Sequence, residues 1–128
     1  MTAPGTDSLE VALEVRAGEP VRFILRVRNA APRQVALLLR GRNPTLDVEV
    51  RRAGGEVVWR RLEGEVIQAI VQVRILEPGE VLEVAAEWDL RLRGGNRALP
   101  GDYEAAALLL LEERGLAAPV THFRVSGE

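Results

Sequence analysis

The residues able to do covalent chemistry are few in this sequence and badly spaced for it. His122 is the sole histidine, and Ser8 and Ser126 are the only serines. A Ser/His/Asp relay would need Ser126 beside His122, yet positions i and i+4 of an extended strand lie about 13 Å apart, beyond hydrogen-bond reach. A histidine-based metal site lacks the further ligands it needs, and with no cysteines there is neither a thiolate site nor a disulfide. Asp47 with Glu49 and Glu112 with Glu113 are the carboxylate pairs, but acid/base work requires one member to sit in an apolar pocket. Asp47 and Glu49 alternate with Leu46, Val48 and Val50, the pattern of a solvated strand face. No catalytic residue, cofactor or metal is therefore expected, and the chain reads as a noncatalytic protein.

Charge removes further classes. All 17 basic residues are Arg and the formal net charge is −2, with both signs interspersed, so there is no basic stripe for nucleic acid. Nowhere do 18 apolar residues run together, and MTAPGTDSLE has neither a basic n-region nor an apolar h-region. No membrane partner is expected. The missing leader and cysteines suit a reducing cytoplasm.

The elements that would position a binding site are strands. Leu9, Val11, Leu13 and Val15 form one apolar stripe; AGEP follows; then Val21, Phe23, Leu25 and Val27 form a second. Val35, Leu37 and Leu39 continue the series, followed by Leu46, Val48 and Val50 and the AGGE hairpin signal before Val57 and Trp59. Val71, Val73 and Ile75 share one side of the next run; Leu82, Val84, Ala86 and Trp88 share one side of another. Pro78-Gly79 between them suits the centre of a type II turn, which splays strands, so it should carry the chain from one sheet towards the other. Short strands with one apolar face predict an antiparallel all-β sandwich or barrel.

A chain of 128 residues with 47% hydrophobic composition can bury roughly two-thirds of its unfolded surface in one domain, residues 1–8 forming a flexible tail. Phe23, Leu25, Trp59, Val73, Val84, Trp88 and Tyr103 are expected to share the core. Glu65 to Ile70 is expected to be irregular. Gly101 to Gly115 has helical propensity, with Asp102 and Gly115 as caps. Tyr103, Ala105, Ala107, Leu109 and Leu111 would nevertheless share one strand face, and the architecture needs a strand there, so strand is the expectation.

The ordered set VRFILRVRN (Val21 to Asn29), LDVEV (Leu46 to Val50), GGEVVWR (Gly54 to Arg60), IQAI (Ile67 to Ile70), LEPGE (Leu76 to Glu80), EWD (Glu87 to Asp89) and ALPGDYEA (Ala98 to Ala105) resembles the BsuPI-type intracellular proteinase inhibitor family. The resemblance spans about Leu9 to Val125. It implies an immunoglobulin-like antiparallel β-sandwich of seven to nine strands, cytoplasmic, that binds and restrains a subtilisin-like serine protease. It supplies no reactive-site residues.

The residues themselves nominate LRLRGGNRALPG (Leu90 to Gly101), the longest polar connection, as the contact loop, with Leu92, Arg93, Arg97 and Leu99 as candidate contacts. An ordinary solvated loop is the competing reading. The other function weighed is an interaction module that binds a partner subunit or a second copy of itself as a homodimer.

Overall fold

The computed structural model describes residues 8–112 and 114–127. Among them are ten strands and no α-helix: β1 (Leu9–Arg16), β2 (Val21–Asn29), β3 (Val35–Arg40), β4 (Leu46–Arg52), β5 (Val57–Arg60), β6 (Val71–Leu76), β7 (Val81–Trp88), β8 (Gly101–Leu110), β9 (Gly115–Ala117) and β10 (Thr121–Val125). The ladders between these strands are antiparallel. One sheet runs β1-β2-β7 and the second β10-β8-β4-β5, with β9 on β8. A β3-β6 pair joins through the Leu39–Leu111 bridge and the Glu112 N–H to Leu38 carbonyl bond of 2.9 Å. The β-sandwich expectation holds, and ten strands exceed the seven to nine anticipated, partly because of the three-residue β9.

The core lies between the two large sheets, where Phe23, Leu25 and Val27 of β2 meet Val48 and Val50 of β4 and Tyr103, Ala105, Ala107 and Leu109 of β8. β8 is a strand despite its helical propensity, because pairing with β4 on one side and with β9 and β10 on the other satisfies its backbone. Its second apolar face is half covered: Gly115 of β9 comes so close to Leu108 that a Cβ there would collide with the leucine side chain.

Pro78-Gly79 behaves as its chemistry demands. Glu80 N–H donates to the Glu77 carbonyl at 2.9 Å and Gly79 takes φ of 82°, as the third position of a type II turn requires. The strands on either side belong to different sheets, β6 with β3 and β7 with β2. AGGE closes the β4-β5 hairpin, Gly55 N–H bonding the Arg52 carbonyl at 2.7 Å. Glu65 to Ile70 has no regular structure.

Two expectations are corrected. Val73 is 63% exposed and outside the core, because β6 overhangs the sandwich and only Leu76 at its end is buried. Asp47 is buried, not solvated: the chain beyond β5 folds over it, so that its carboxylate accepts hydrogen bonds from Arg60 at 2.9 Å and from Leu62 N–H at 3.3 Å. Residues 1–7 of the expected tail lie outside the described residues; at Ser8 the carbonyl accepts a hydrogen bond from Ala30 N–H at 2.8 Å. Of the Glu112-Glu113 pair, Glu112 sits in the bend after β8 and Glu113 lies outside the described residues.

Candidate protein-contact site

The chain has two Phe, two Trp and one Tyr, and all five rings form one contact network at the end of the sandwich beneath the 90–100 loop. Trp88 is at its centre, stacked on Trp59 at 5.7 Å and meeting Tyr103 and Phe123 edge-on. Pairs of this geometry add stability beyond their buried area. Trp88 and Tyr103 are fully buried, while Trp59 is half-buried and walls a shallow cleft of about 560 Å³ with Glu19, Pro20, Glu87 and Asp89.

Two of these aromatics reach out to the loop. The Trp88 indole N–H donates to the Arg91 carbonyl at 2.9 Å, and the Tyr103 hydroxyl donates to the Leu99 carbonyl at 2.6 Å. The second bond, from a tyrosine near the start of a strand to backbone a few residues upstream, is the corner device of immunoglobulin-like sandwiches. Each polar tip finds its partner in loop backbone, so burying the rings leaves no orphaned donor.

Between these anchors the chain folds back on itself. Arg91 and Arg97 form an antiparallel bridge, Leu92 N–H donates to the Asn96 carbonyl at 2.8 Å, and Ala98 N–H donates to the Leu90 carbonyl at 2.7 Å. Gly95 closes the tip at φ of 93°, a conformation open to glycine. Leu90 also has positive φ, 67°, although it is no glycine, and its side chain is buried in the core. A leucine there costs on the order of 1–2 kcal/mol, which its burial offsets.

The four nominated residues have separate roles. Leu92 is half-buried against the core, and its main chain belongs to the fold-back. Arg93 is exposed, bonds the Val58 carbonyl through its N–H at 3.1 Å, and pairs with Glu63 at 2.6 Å. Arg97 clamps Glu19 with two hydrogen bonds of 2.7 and 2.8 Å. Those bonds, and the guanidinium charge behind them, hold the Glu19 carboxyl below its ordinary value of 4.5. Leu99 alone of the four offers a large free apolar surface, at 61% exposure. The connection is thus a braced hairpin, not the loosely solvated loop its two glycines suggest. The bracing from Glu19 and Glu63, distant in sequence, had no local signal.

The residues weighed for catalysis do not converge. His122 is exposed on β10 with Glu104 3.7 Å away, and Ser126 lies beyond the end of that strand. Among the described residues no group of three or more His, Asp or Glu gathers to hold a metal.

Solved structures similar to this chain show the fold alone. β-Glucosidase 3B from Thermotoga neapolitana, in complex with glucose, matches 93% of this chain at 20% identity and a TM-score of 0.51. The same enzyme with α-D-glucose matches at 22% identity and 0.50, and β-glucosidase from Kluyveromyces marxianus at 15% and 0.50. The chain spans only 16% of the Thermotoga enzyme and 14% of the Kluyveromyces one, so the likeness concerns one portion of each. Among curated proteins none matches the chain. A family match does cover most of it: residues 9–114 fit BsuPI, described as intracellular proteinase inhibitor. With the β-sandwich in place and the match running over most of its length, the chain belongs to the BsuPI family, described as intracellular proteinase inhibitor.

Proposed function

We propose that the chain inhibits a subtilisin-like serine protease in the cytoplasm by seating the braced 90–100 hairpin on the protease surface. The observation that carries this reading is the combination at Leu99: an apolar side chain 61% exposed on a backbone whose carbonyl is held by the buried Tyr103. A contact residue fixed before binding loses little entropy on association, which is how a small inhibitor without disulfides can bind usefully. The fold-back from Arg91 to Arg97 is unlike the extended strand that a protease cleft accepts as substrate, which supports surface blockade over slow cleavage. Equimolar incubation with a purified subtilisin-like protease, followed by residual activity and intact mass, tests this. Inhibition with the chain uncut is expected; one specific cut between Leu90 and Pro100 accompanying inhibition would establish substrate mimicry instead.

A second copy of the chain is the alternative partner, and the exposed apolar residues of β6 favour it.

A further inference from the structure

The sheets end in edge strands, and β6 is one whose exposed face is apolar. The outer edge strand β1 carries Glu10, Glu14 and Arg16, with Glu14 paired to both Arg16 and Arg26. β10 carries His122 and Arg124, and β5 ends in Arg60, followed by Arg61. Charged side chains of this kind keep edges from pairing with other chains. β6, whose sequence is Val-Gln-Val-Arg-Ile-Leu, has a single charge, as β3 and β5 do, but it alone of these three exposes a large apolar residue at every second position. It pairs with β3 on one side, and no described strand pairs with the other. Its outer face is apolar: Val71, Val73 and Ile75 are 39%, 63% and 43% exposed, and the neighbouring Leu38 of β3 is 41% exposed.

We propose that β6 is a self-association edge: two copies pair antiparallel about a two-fold axis at Val73, giving a continuous sheet in which β3-β6 of one chain meets β6-β3 of the other. The register follows from the side chains. Centred on Val73, Val71 faces Ile75 of the partner subunit, Val73 faces its own copy, and every large apolar group of the strand's outer face joins one ladder. Arg74 then faces the partner's Gln72 and keeps its own Glu80, 3.4 Å away. Centring on Arg74 would set two guanidinium groups directly opposite and place Val71 against a glutamate, which is unfavourable. Centring on Gln72 would put Ile70 against Arg74. Only the Val73 axis matches apolar to apolar and leaves no like charges opposed. A six-residue strand spans about 20 Å, so the contact falls short of the roughly 800 Å² per partner of a stable dimer. Association should therefore be reversible and concentration-dependent.

The absence of cysteine makes the test clean. Facing Cα atoms at the axis would lie about 5 Å apart, inside the span a disulfide bridges. Val73→Cys should therefore form a disulfide-linked dimer on mild oxidation. Val71→Cys should do so on the order of tenfold more slowly, because its copies would be about 13 Å apart along the strand. In sedimentation equilibrium the unmodified chain should move towards twice the monomer mass as concentration rises. Val73→Lys, at a largely exposed position and so compatible with folding, should remain monomeric. A chain monomeric at about 1 mM, a dimer that survives Val73→Lys, or equal oxidation rates for the two cysteine variants would each overturn the proposal. So would a monomeric chain whose protease inhibition is lost on Val73→Lys, which would give this face to the protease. The mass and oxidation measurements need no protease, so their failure is separate from any failure of the inhibitor reading.

Discussion

The Tyr103 hydroxyl lies 2.6 Å from the Leu99 carbonyl oxygen, so a ring fully buried in the core fixes the backbone of an exposed leucine. Trp88 does the same at the other end of the hairpin through Arg91. The aromatic cluster thus holds the sandwich together and also sets the position of the surface above it.

Tyr103→Phe keeps the ring and removes only the hydroxyl, leaving the Leu99 carbonyl without its buried partner. The loss in unfolding free energy should be about 1 kcal/mol. Limited proteolysis by a nonspecific protease should become faster between Leu90 and Gly101 while cutting elsewhere is unchanged. Uniform acceleration along the chain would show that the bond serves global stability and not the loop.

Trp88→Ala removes the centre of the ring network and opens a large cavity between the sheets. Denaturant unfolding should show a loss of about 3–5 kcal/mol. A change near zero would contradict the burial of this side chain.

Asn29 is fully buried, and its side chain donates to the Arg33 and Leu76 carbonyls at 2.8 and 2.9 Å and accepts from Ala31 N–H at 2.8 Å. It ties the end of β2 to the start of β3 and the end of β6. Asn29→Ala should cost on the order of 3 kcal/mol, since several backbone groups lose their partner at once. An unfolding midpoint equal to that of the unmodified chain would refute this role.

Most of the fold was legible because alternation reports directly on strands: β1, β2, β7 and the β4-β5 hairpin follow their apolar stripes and turn residues. Even β8 could be read against its own propensity, since Tyr103, Ala105, Ala107 and Leu109 share a face. Alternation does not say which face another layer will cover. Val73 is expected in the core from its stripe, yet that stripe points to solvent because β6 overhangs. Asp47 looked solvated for the same reason, its cover coming from a segment thirteen or more residues on. The loop was found by its length and polarity, but its rigidity depends on Glu19, Glu63 and Val58, contacts that no local pattern encodes. Asn29 falls on the inward stripe of β2 with Val21, Phe23, Leu25 and Val27, and a polar residue on that stripe is the signal of its structural role.

The Glu19–Arg97 clamp makes the loop sensitive to acid. Because the Glu19 carboxyl is held below 4.5, its contribution is complete above that value and is lost as pH falls through the lower folded one. Amide exchange around Arg97, corrected for intrinsic rate, should therefore be constant from neutral pH to about pH 5 and rise on further acidification. Glu19→Gln should show the looser loop already at neutral pH, with little further response to acid. A variant indistinguishable from the unmodified chain at pH 7 would mean that the clamp does not restrain the hairpin.

The most direct test of the inhibitor account is a titration of a purified subtilisin-like protease with the unmodified chain and with Leu99→Asp, which alters an exposed side chain and keeps the carbonyl that Tyr103 holds. If Leu99 is a central contact, the unmodified chain should inhibit and the variant, equally stable to denaturant, should inhibit at least about 30-fold more weakly. Equal inhibition by the two proteins would place the contact away from this hairpin, and no inhibition by either would contradict the proposed target.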